Sequence, residues 1–296
     1  MLVPVVMEVS RRAFLSGLMT GLGQVMLPAP GRRLEPTLFR VNVPVRGLPR
    51  TLDGLRIGQV SDTHIGAVLG VDHLRRALDL LRRDPPEILV ATGDLVDDAG
   101  LARPCLDELA SIRAGLGRFY ILGNHENYAG RERIIDEAMR HPHVRLLLDA
   151  GHLVHEGGIR VHVAGLDYPR EEDTRVAFHA SPLPHVVIQR IQPRLPERLR
   201  AASQAADEGD FRLRLVHHPD AWTAMAGDAA ELTLSGHTHG GQVAPLGTML
   251  AHSAFAYVLG MYERPGQHLY VNGGTGHWLP LRSVPAEVTL LTLRRV

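Results

Sequence analysis

Ser235-Gly-His-Thr-His-Gly-Gly-Gln242 sets two histidines, His237 and His239, two residues apart among small residues. Glu231-Leu-Thr-Leu234, just before it, alternates polar and apolar with the period of a strand. The chain thus leaves a strand and presents two imidazoles in a glycine-lined turn. Glycine admits positive φ and lets a bound group come close to the backbone. Imidazole is the commonest side-chain ligand of zinc-like metals. A His-x-His pair by itself equally describes two solvated histidines in a turn, so its partners elsewhere decide the reading.

Four more apolar runs end the same way. Leu55–Val60 runs into Ser61-Asp-Thr-His64, and Glu87–Ala91 into Thr92-Gly-Asp94. Arg118–Leu122 leads to Gly123-Asn-His-Glu126, and Phe211–Val216 to His217-His218-Pro219. Helical spacing covers Val71–Arg83, stopped by Pro85-Pro86, then Pro104–Arg113 and Gly130–Arg140. Strand, polar loop and helix repeat three times. That order predicts an α/β protein whose strand-end loops carry function. Phe39–Val45 reads as an edge strand. Val144–Leu148, Leu153–Glu156 and Ile159–Ala164 follow as short strands with few helices between, predicting a second, more antiparallel sheet. Glu171–Asp210 is proline-rich and irregular, with a helix predicted over Pro196–Asp207; it reads as a cap or a surface excursion. His268–Val271 and Glu287–Leu293 close the chain as strands.

Composition narrows the chemistry. Lys plus Arg equals Asp plus Glu, 32 each, which excludes a dominant nucleic-acid footprint. The lone cysteine, Cys105, permits no intrachain disulfide and no cysteine-based zinc site. With Leu106 and Leu109 beside it, Cys105 reads as a core thiol. A metal site here must use nitrogen and oxygen. Of the 17 histidines, His73, His141, His143, His152, His155 and His179 have no evident partner.

The N-terminus reads as an address. Ser10-Arg-Arg-Ala-Phe-Leu15 precedes a short apolar run that ends at Pro28. Fifteen residues are few for a spanning helix, which needs about 20. A charged start with a short apolar stretch reads as an export signal, and the paired arginines resemble a twin-arginine signal. Residues 1–36 are therefore expected to be signal and linker, read by twin-arginine export machinery, with residues 37–296 as the functional domain. No Ala-x-Ala site is present, so retention of the segment as a membrane anchor stays open beside cleavage. Expected localisation is the periplasm or the membrane-associated cell envelope.

If the strands lie side by side, Asp62, His64, Asp94, Asn124, His217, His237 and His239 converge at one edge. One bridging carboxylate lets seven residues give four ligands to each of two ions. A mixed nitrogen–oxygen set suits divalent or trivalent Zn, Mn or Fe, whereas an all-oxygen set would suit Mg or Ca. In order, Asp62-Thr-His64, Gly93-Asp94, Gly123-Asn-His-Glu126, His217 and Gly236-His-Thr-His239 resemble the motifs of calcineurin-like metallophosphoesterases, from Leu55 to the C-terminus. The strings SDTHIG, GDLVDD, HHPD and SGHTHGGQ, with the ending AEVTLLTL, are similar to its exported or membrane-associated bacterial branch, which includes phosphodiesterases.

The resemblance implies a four-layer α/β/β/α sandwich of two mixed sheets. It implies one metal held by Asp62, His64, Asp94 and His239, and another by Asp94, Asn124, His217 and His237. His125 would face the substrate and serve as proton donor or transition-state stabiliser. The implied reaction is hydrolysis of phosphodiesters or pyrophosphates, on cell-envelope or lipid-linked substrates, by metal-activated hydroxide. A non-catalytic envelope protein that keeps metals for structure or metal handling is the alternative; retention of His125 weighs against it. His218 reads as structural, because adjacent strand residues point oppositely. Asp97 and Asp98 read as exposed loop carboxylates, and Asp167 as possible support for the site. Asn272-Gly-Gly-Thr-Gly-His277 lacks the Lys-Ser/Thr of a phosphate-cradling loop. The family carries a Gly-Thr-Ser-Gly-like turn and an arginine there. Arg282 is the candidate arginine, and His277-Trp278 departs from the pattern. Specificity is expected in Glu171–Asp210 and in the loop near His252–Pro265.

Overall fold

Alternation along each apolar run decides which layer a side chain joins. A computed structural model describes residues 35–168, 198, 202, 211–242, 246–276 and 284–296. Its strands are β1 (Thr37–Val45), β2 (Arg56–Val60), β3 (Ile88–Thr92), β4 (Gly117–Ile121), β5 (Arg145–Leu146), β6 (Ala150–Glu156), β7 (Ile159–Gly165), β8 (Phe211–Leu215), β9 (Leu232–Ser235), β10 (Gly260–Arg264), β11 (Gln267–Val271) and β12 (Glu287–Arg295). They form two six-stranded sheets, ordered β1-β12-β2-β3-β4-β5 and β10-β11-β9-β8-β7-β6. In the first, β2, β3, β4 and β5 run parallel, and β12 is antiparallel to β2.

Ile57, Ile88, Val90 and Ile121 of the first sheet meet Leu213, Leu215, Leu232 and Leu234 of the second in one buried cluster. Val60, Leu89 and Ala91 turn the other way. They pack against Leu74, Leu78 and Leu81 of helix α1 (Val71–Arg83) and Leu106 and Leu109 of helix α2 (Ala102–Ala110). Burying each such aliphatic side chain contributes about 1.5–3 kcal/mol. Beyond β4 come α3 (Asn124–Ala129) and α4 (Arg131–Arg140). On the outer face of the second sheet, Ala164 and Val216 pack on Ala202 and on Ala221 of the short helix α5 (Ala221–Ala224). Helix α6 (Leu246–Ala254) precedes β10. The layers are helix, sheet, sheet, helix, as the fold expectation required.

Two expectations need correction. β5 belongs to the first sheet, parallel to β4. The second sheet is mostly parallel, through β7, β8, β9 and β11, with an antiparallel hairpin at each edge. Close spacing forces the antiparallel pair only where a tight turn joins the strands, as between β6 and β7. The long stretch from β7 to β8 leaves room for the crossover that parallel pairing needs. The export segment, most of Pro196–Asp207, His277-Trp278 and Arg282 lie outside the described residues; Arg198 and Ala202 there have helical backbone. Among the described residues, no helix is long and apolar enough to cross a membrane.

Candidate metal centre

β2, β3 and β4 are parallel neighbours, so their C-terminal ends lie side by side. The parallel pair β8 and β9 does the same in the facing sheet. These five ends carry all seven expected ligands. Gln59 Nε2 donates across the sandwich to the Ser235 carbonyl at 3.0 Å, and the His237 amide donates to Asp62 Oδ1 at 2.9 Å. These bonds fix the two sheet ends against each other. Gly93, with φ +92°, lets the facing histidine in: a Cβ there would stand 2.5 Å from His217 Nδ1.

Backbone strain concentrates here. Seven non-glycine residues among those described have positive φ, and five are Asp62, His64, Asp94, His237 and His239. Left-handed backbone costs an L-residue on the order of 1 kcal/mol, least for Asp, Asn and His. Such strain persists where surrounding contacts over-determine it, which is typical of functional sites.

The seven side chains converge on two centres. Ligand atoms of Asp62, His64 and His239 lie within 4.8 Å of one another, as do those of Asp94, His217 and His237. Asn124 Oδ1 joins the second group, 3.2 Å from His217 Nε2 and 2.9 Å from His237 Nδ1. Asp94 Oδ2 stands between the groups, 3.2 Å from His217 Nε2 and 3.8 Å from His64 Nε2.

Hydrogen bonds set the ring tautomers. His64 Nδ1 pairs with Asp97 Oδ1 at 2.9 Å, and His217 Nδ1 with the Thr92 carbonyl at 2.7 Å. Both partners are acceptors, so each Nδ1 carries a proton and each Nε2 is left to bind something else. Yet His64 Nε2 faces His239 Nε2 at 3.1 Å, and His217 Nε2 faces His237 Nδ1 at 3.2 Å. At each of these contacts one ring nitrogen must donate a proton to the other or a cation must lie between them. Burial would lower His217, but the Asp94 charge and hydrogen bond push it up to about 10. Burial, and then the charge on His217, takes His237 down to about 3. Burial would raise Asp94, but His217, His64 and His125 hold it well below the usual carboxylate range. Two carboxylates, an amide oxygen and four imidazoles, drawn together in two groups, make a donor set that fits cations bound by nitrogen and oxygen.

Two supporting carboxylates emerge only from the geometry. Asp97, read from sequence as a loop carboxylate, bonds His64 Nδ1 and His125 Nδ1 through the same oxygen, 2.9 Å from each. Its place three residues after Asp94 was the available signal. Asp98 is a turn cap, accepting from the Gly100 amide at 2.7 Å. Glu126 is fully buried and accepts from the amides of Gly123 (2.7 Å), Asp94 (3.0 Å) and Leu95 (2.6 Å) and from the Tyr120 hydroxyl (2.9 Å). Glu126 supplies the acidic half of a capping box by accepting from the Gly123 amide, while glycine has no side chain to supply the other half.

His125 lies at the edge of the group. Its amide donates to Asp94 Oδ1 at 2.8 Å, and its side chain is 25% exposed, within reach of a substrate. His218 is buried; its Nδ1 accepts from the Asp220 amide at 3.2 Å, and its ring lies 4.5 Å from that of His237. Asp167 binds Arg131 and Asp149 beside the site without joining the ligand groups. The 272–276 turn packs on the Asp62 strand end, where the Gly276 amide donates to the Asp62 carbonyl at 2.7 Å.

A two-sheet sandwich with paired acidic and imidazole clusters at its strand ends defines a metal-dependent hydrolase. The chain belongs to the calcineurin-like phosphoesterase family, which its residues 55–241 match, and it is a metal-dependent phosphoesterase. That family uses a dinuclear metal site. The chain is 28% identical to YkuE, an uncharacterized metallophosphoesterase of Bacillus subtilis, over 97% of its own length and 98% of that protein. It is also 28% identical to a Danio rerio transmembrane protein with a metallophosphoesterase domain, over 88% of this chain and 58% of that one. A solved dimetal phosphatase from Danio rerio is similar at a TM-score of 0.43 and 14% identity, covering 77% of this chain and 90% of that one.

Proposed function

We propose that this chain is an exported hydrolase of phosphodiesters or pyrophosphates, acting on cell-envelope or lipid-linked substrates with two divalent or trivalent Zn, Mn or Fe ions. Asp62, His64, Asp94 and His239 would hold one ion, and Asp94, Asn124, His217 and His237 the other. Two ions so held would supply Lewis acidity, drawing charge from a phosphoryl oxygen and acidifying water. The chain's own groups do the rest. Asp97 fixes the His64 tautomer and keeps the His125 ring oriented at the rim. His125 donates a proton to the departing oxygen, a contribution typically worth about 10²–10⁴-fold. Glu126 holds the amides of Asp94 and Leu95 in place, so the shared carboxylate is set before substrate arrives.

The observation that carries this reading is the position of Asp94 between two imidazole groups drawn from facing sheets. The test is bound-metal analysis paired with turnover of bis(4-nitrophenyl) phosphate. Wild type should retain close to two ions and turn over; chelation should abolish turnover, and Asp94→Asn should lose both metal and at least about 10³-fold in rate. Full activity in Asp94→Asn would sink the reading. The address is tested separately, on the full chain in a bacterial host: Arg11→Lys with Arg12→Lys should hold the protein in the cytoplasm. The envelope substrate is tested by assaying lipid-linked against soluble pyrophosphates.

A further inference from the structure

Aromatic residues make up 5% of the chain, yet three of them border the metal centre from three different elements. Tyr128, in α3, meets the His125 ring edge-on at 5.7 Å between centroids. Tyr168, just after β7, lies 5.8 Å from the His217 ring and 6.3 Å from that of His237. Phe255, just after α6, stands 5.7 Å from the His237 ring on another side. None of the three is buried, and Tyr128 is 64% exposed. Their backbones are held. Glu126 anchors the start of α3 through the Gly123 amide. The Asp167 amide donates to Asp149 at 3.0 Å, next to Tyr168. The Ala256 amide donates to Asp220 at 2.9 Å, next to Phe255. Rings carried on backbone held in this way offer stacking and edge contacts at reduced ordering cost.

We infer that Tyr128, Tyr168 and Phe255 form an aromatic collar that selects phosphoesters bearing a planar apolar group over those bearing a small aliphatic one. The inference rests on the phosphoester reading of the metal centre. Tyr128 flanks His125 while Tyr168 and Phe255 flank His237, so rings stand at both the His125 end and the His237 end of the metal centre. Ring contact favours a flat partner over a methyl group by about fivefold to tenfold.

The test uses the full chain loaded with Mn(II) and measures binding by calorimetry. The probes are phenylphosphonate, methylphosphonate and octylphosphonate, none of which can be hydrolysed. Wild type should bind the phenyl compound about fivefold to tenfold more tightly than the methyl one. Tyr128→Ala and Phe255→Ala should each lower that ratio toward one, and Tyr128→Phe should preserve it. Tyr128 is exposed enough that its variants should fold, which unfolding midpoints will check. A wild-type ratio near one, a ratio unchanged in both alanine variants, or failure to bind any phosphonate overturns the collar. Preference for octylphosphonate assigns the rings to an alkyl chain and likewise overturns it. Bis(4-nitrophenyl) phosphate turnover separates the two readings. Turnover without the ratio removes the collar alone, whereas the ratio without turnover on any phosphoester removes the hydrolase and leaves the collar standing.

Discussion

Two neighbouring side chains, His125 and Glu126, divide the work of the β4 strand end. His125 is exposed enough to meet a substrate, and Asp97 orients it. His125→Ala should therefore keep the metal content of wild type while losing about 10²–10⁴-fold in phosphodiester turnover. Metal loss in that variant would make His125 a ligand and remove it as proton donor. Glu126 contacts no substrate position. It satisfies three buried amides and a buried phenol, each of which costs roughly 1–3 kcal/mol when left without a partner. Glu126→Ala should destabilise the metal-free protein by about 3 kcal/mol or more, read as a lower urea midpoint. Tyr270 on β11 of the second sheet and Glu287 on β12 of the first repeat the device across the sandwich, where Glu287 also accepts from the Gly273 amide at 3.0 Å. In each case a buried carboxylate under a strand end fixes the loop that follows.

Paired strands create demands that no single run of sequence displays. On β7 and β8, His162 accepts from the buried Arg214 guanidinium at 3.3 Å, and Arg214 pairs with Asp228 at 2.8 Å. Burial, and then the charge on Arg214, takes His162 down to about 4. The fold thus holds a neutral imidazole whose unfolded value is near 6.5. Stability from this group is fully present above 6.5 and is lost as pH falls toward 4. After allowance for solvent screening the loss is on the order of 1–2 kcal/mol. His162→Gln should flatten the urea midpoint of metal-free protein across that window, and an equally steep fall in the variant would refute the assignment. The metal-side turns make a second demand. A Cβ on Gly236 would lie 2.1 Å from Asp62 Oδ2, so Gly236→Ala should displace that carboxylate and lose metal from the Asp62 group. Legibility follows the same division. Helix α1 was readable to its ends because Val71, Leu74, Leu78 and Leu81 share a face and Pro85-Pro86 stops it. Helix α3 was missed because Asn124–Ala129 is mostly polar, with Asn124 and His125 turned to the site rather than to a core. The seven ligand candidates were legible because each follows an apolar run. The parallel pairing of β7 with β8 was not, since it depends on a long crossover instead of local alternation. Asp97 is the exposed loop carboxylate expected, but its bonds to His64 and His125 were not legible for a like reason: those partners come from two other strand ends.

At the scale of the molecule, the two sheets are joined by one apolar layer along their length and by polar contacts at one end. The apolar layer, from Ile57 and Val90 to Leu213 and Leu234, needs no cation. The polar end does, because Asp62, Asp94 and four imidazoles are packed there with five residues in left-handed backbone. His64 and Asp94 come from the first sheet, and His217, His237 and His239 from the second, so each centre draws on both. A cation bound at either centre therefore ties sheet to sheet and binds only the folded state. Ligand linkage then stabilises folding by about 2.7 kcal/mol when free metal is a hundred times its Kd. For a domain of this size that corresponds to a rise in Tm of about 5–10 °C. Chelated protein should melt that much lower than protein in excess Mn(II) at matched ionic strength, and adding metal back should restore the difference. Asp94→Asn, which removes the carboxylate shared by both centres, should melt at nearly the same temperature with and without metal. A wild-type Tm indifferent to chelator would mean that the sheet ends are held by their hydrogen bonds alone, and that the cations, if bound at all, sit outside the junction between the sheets.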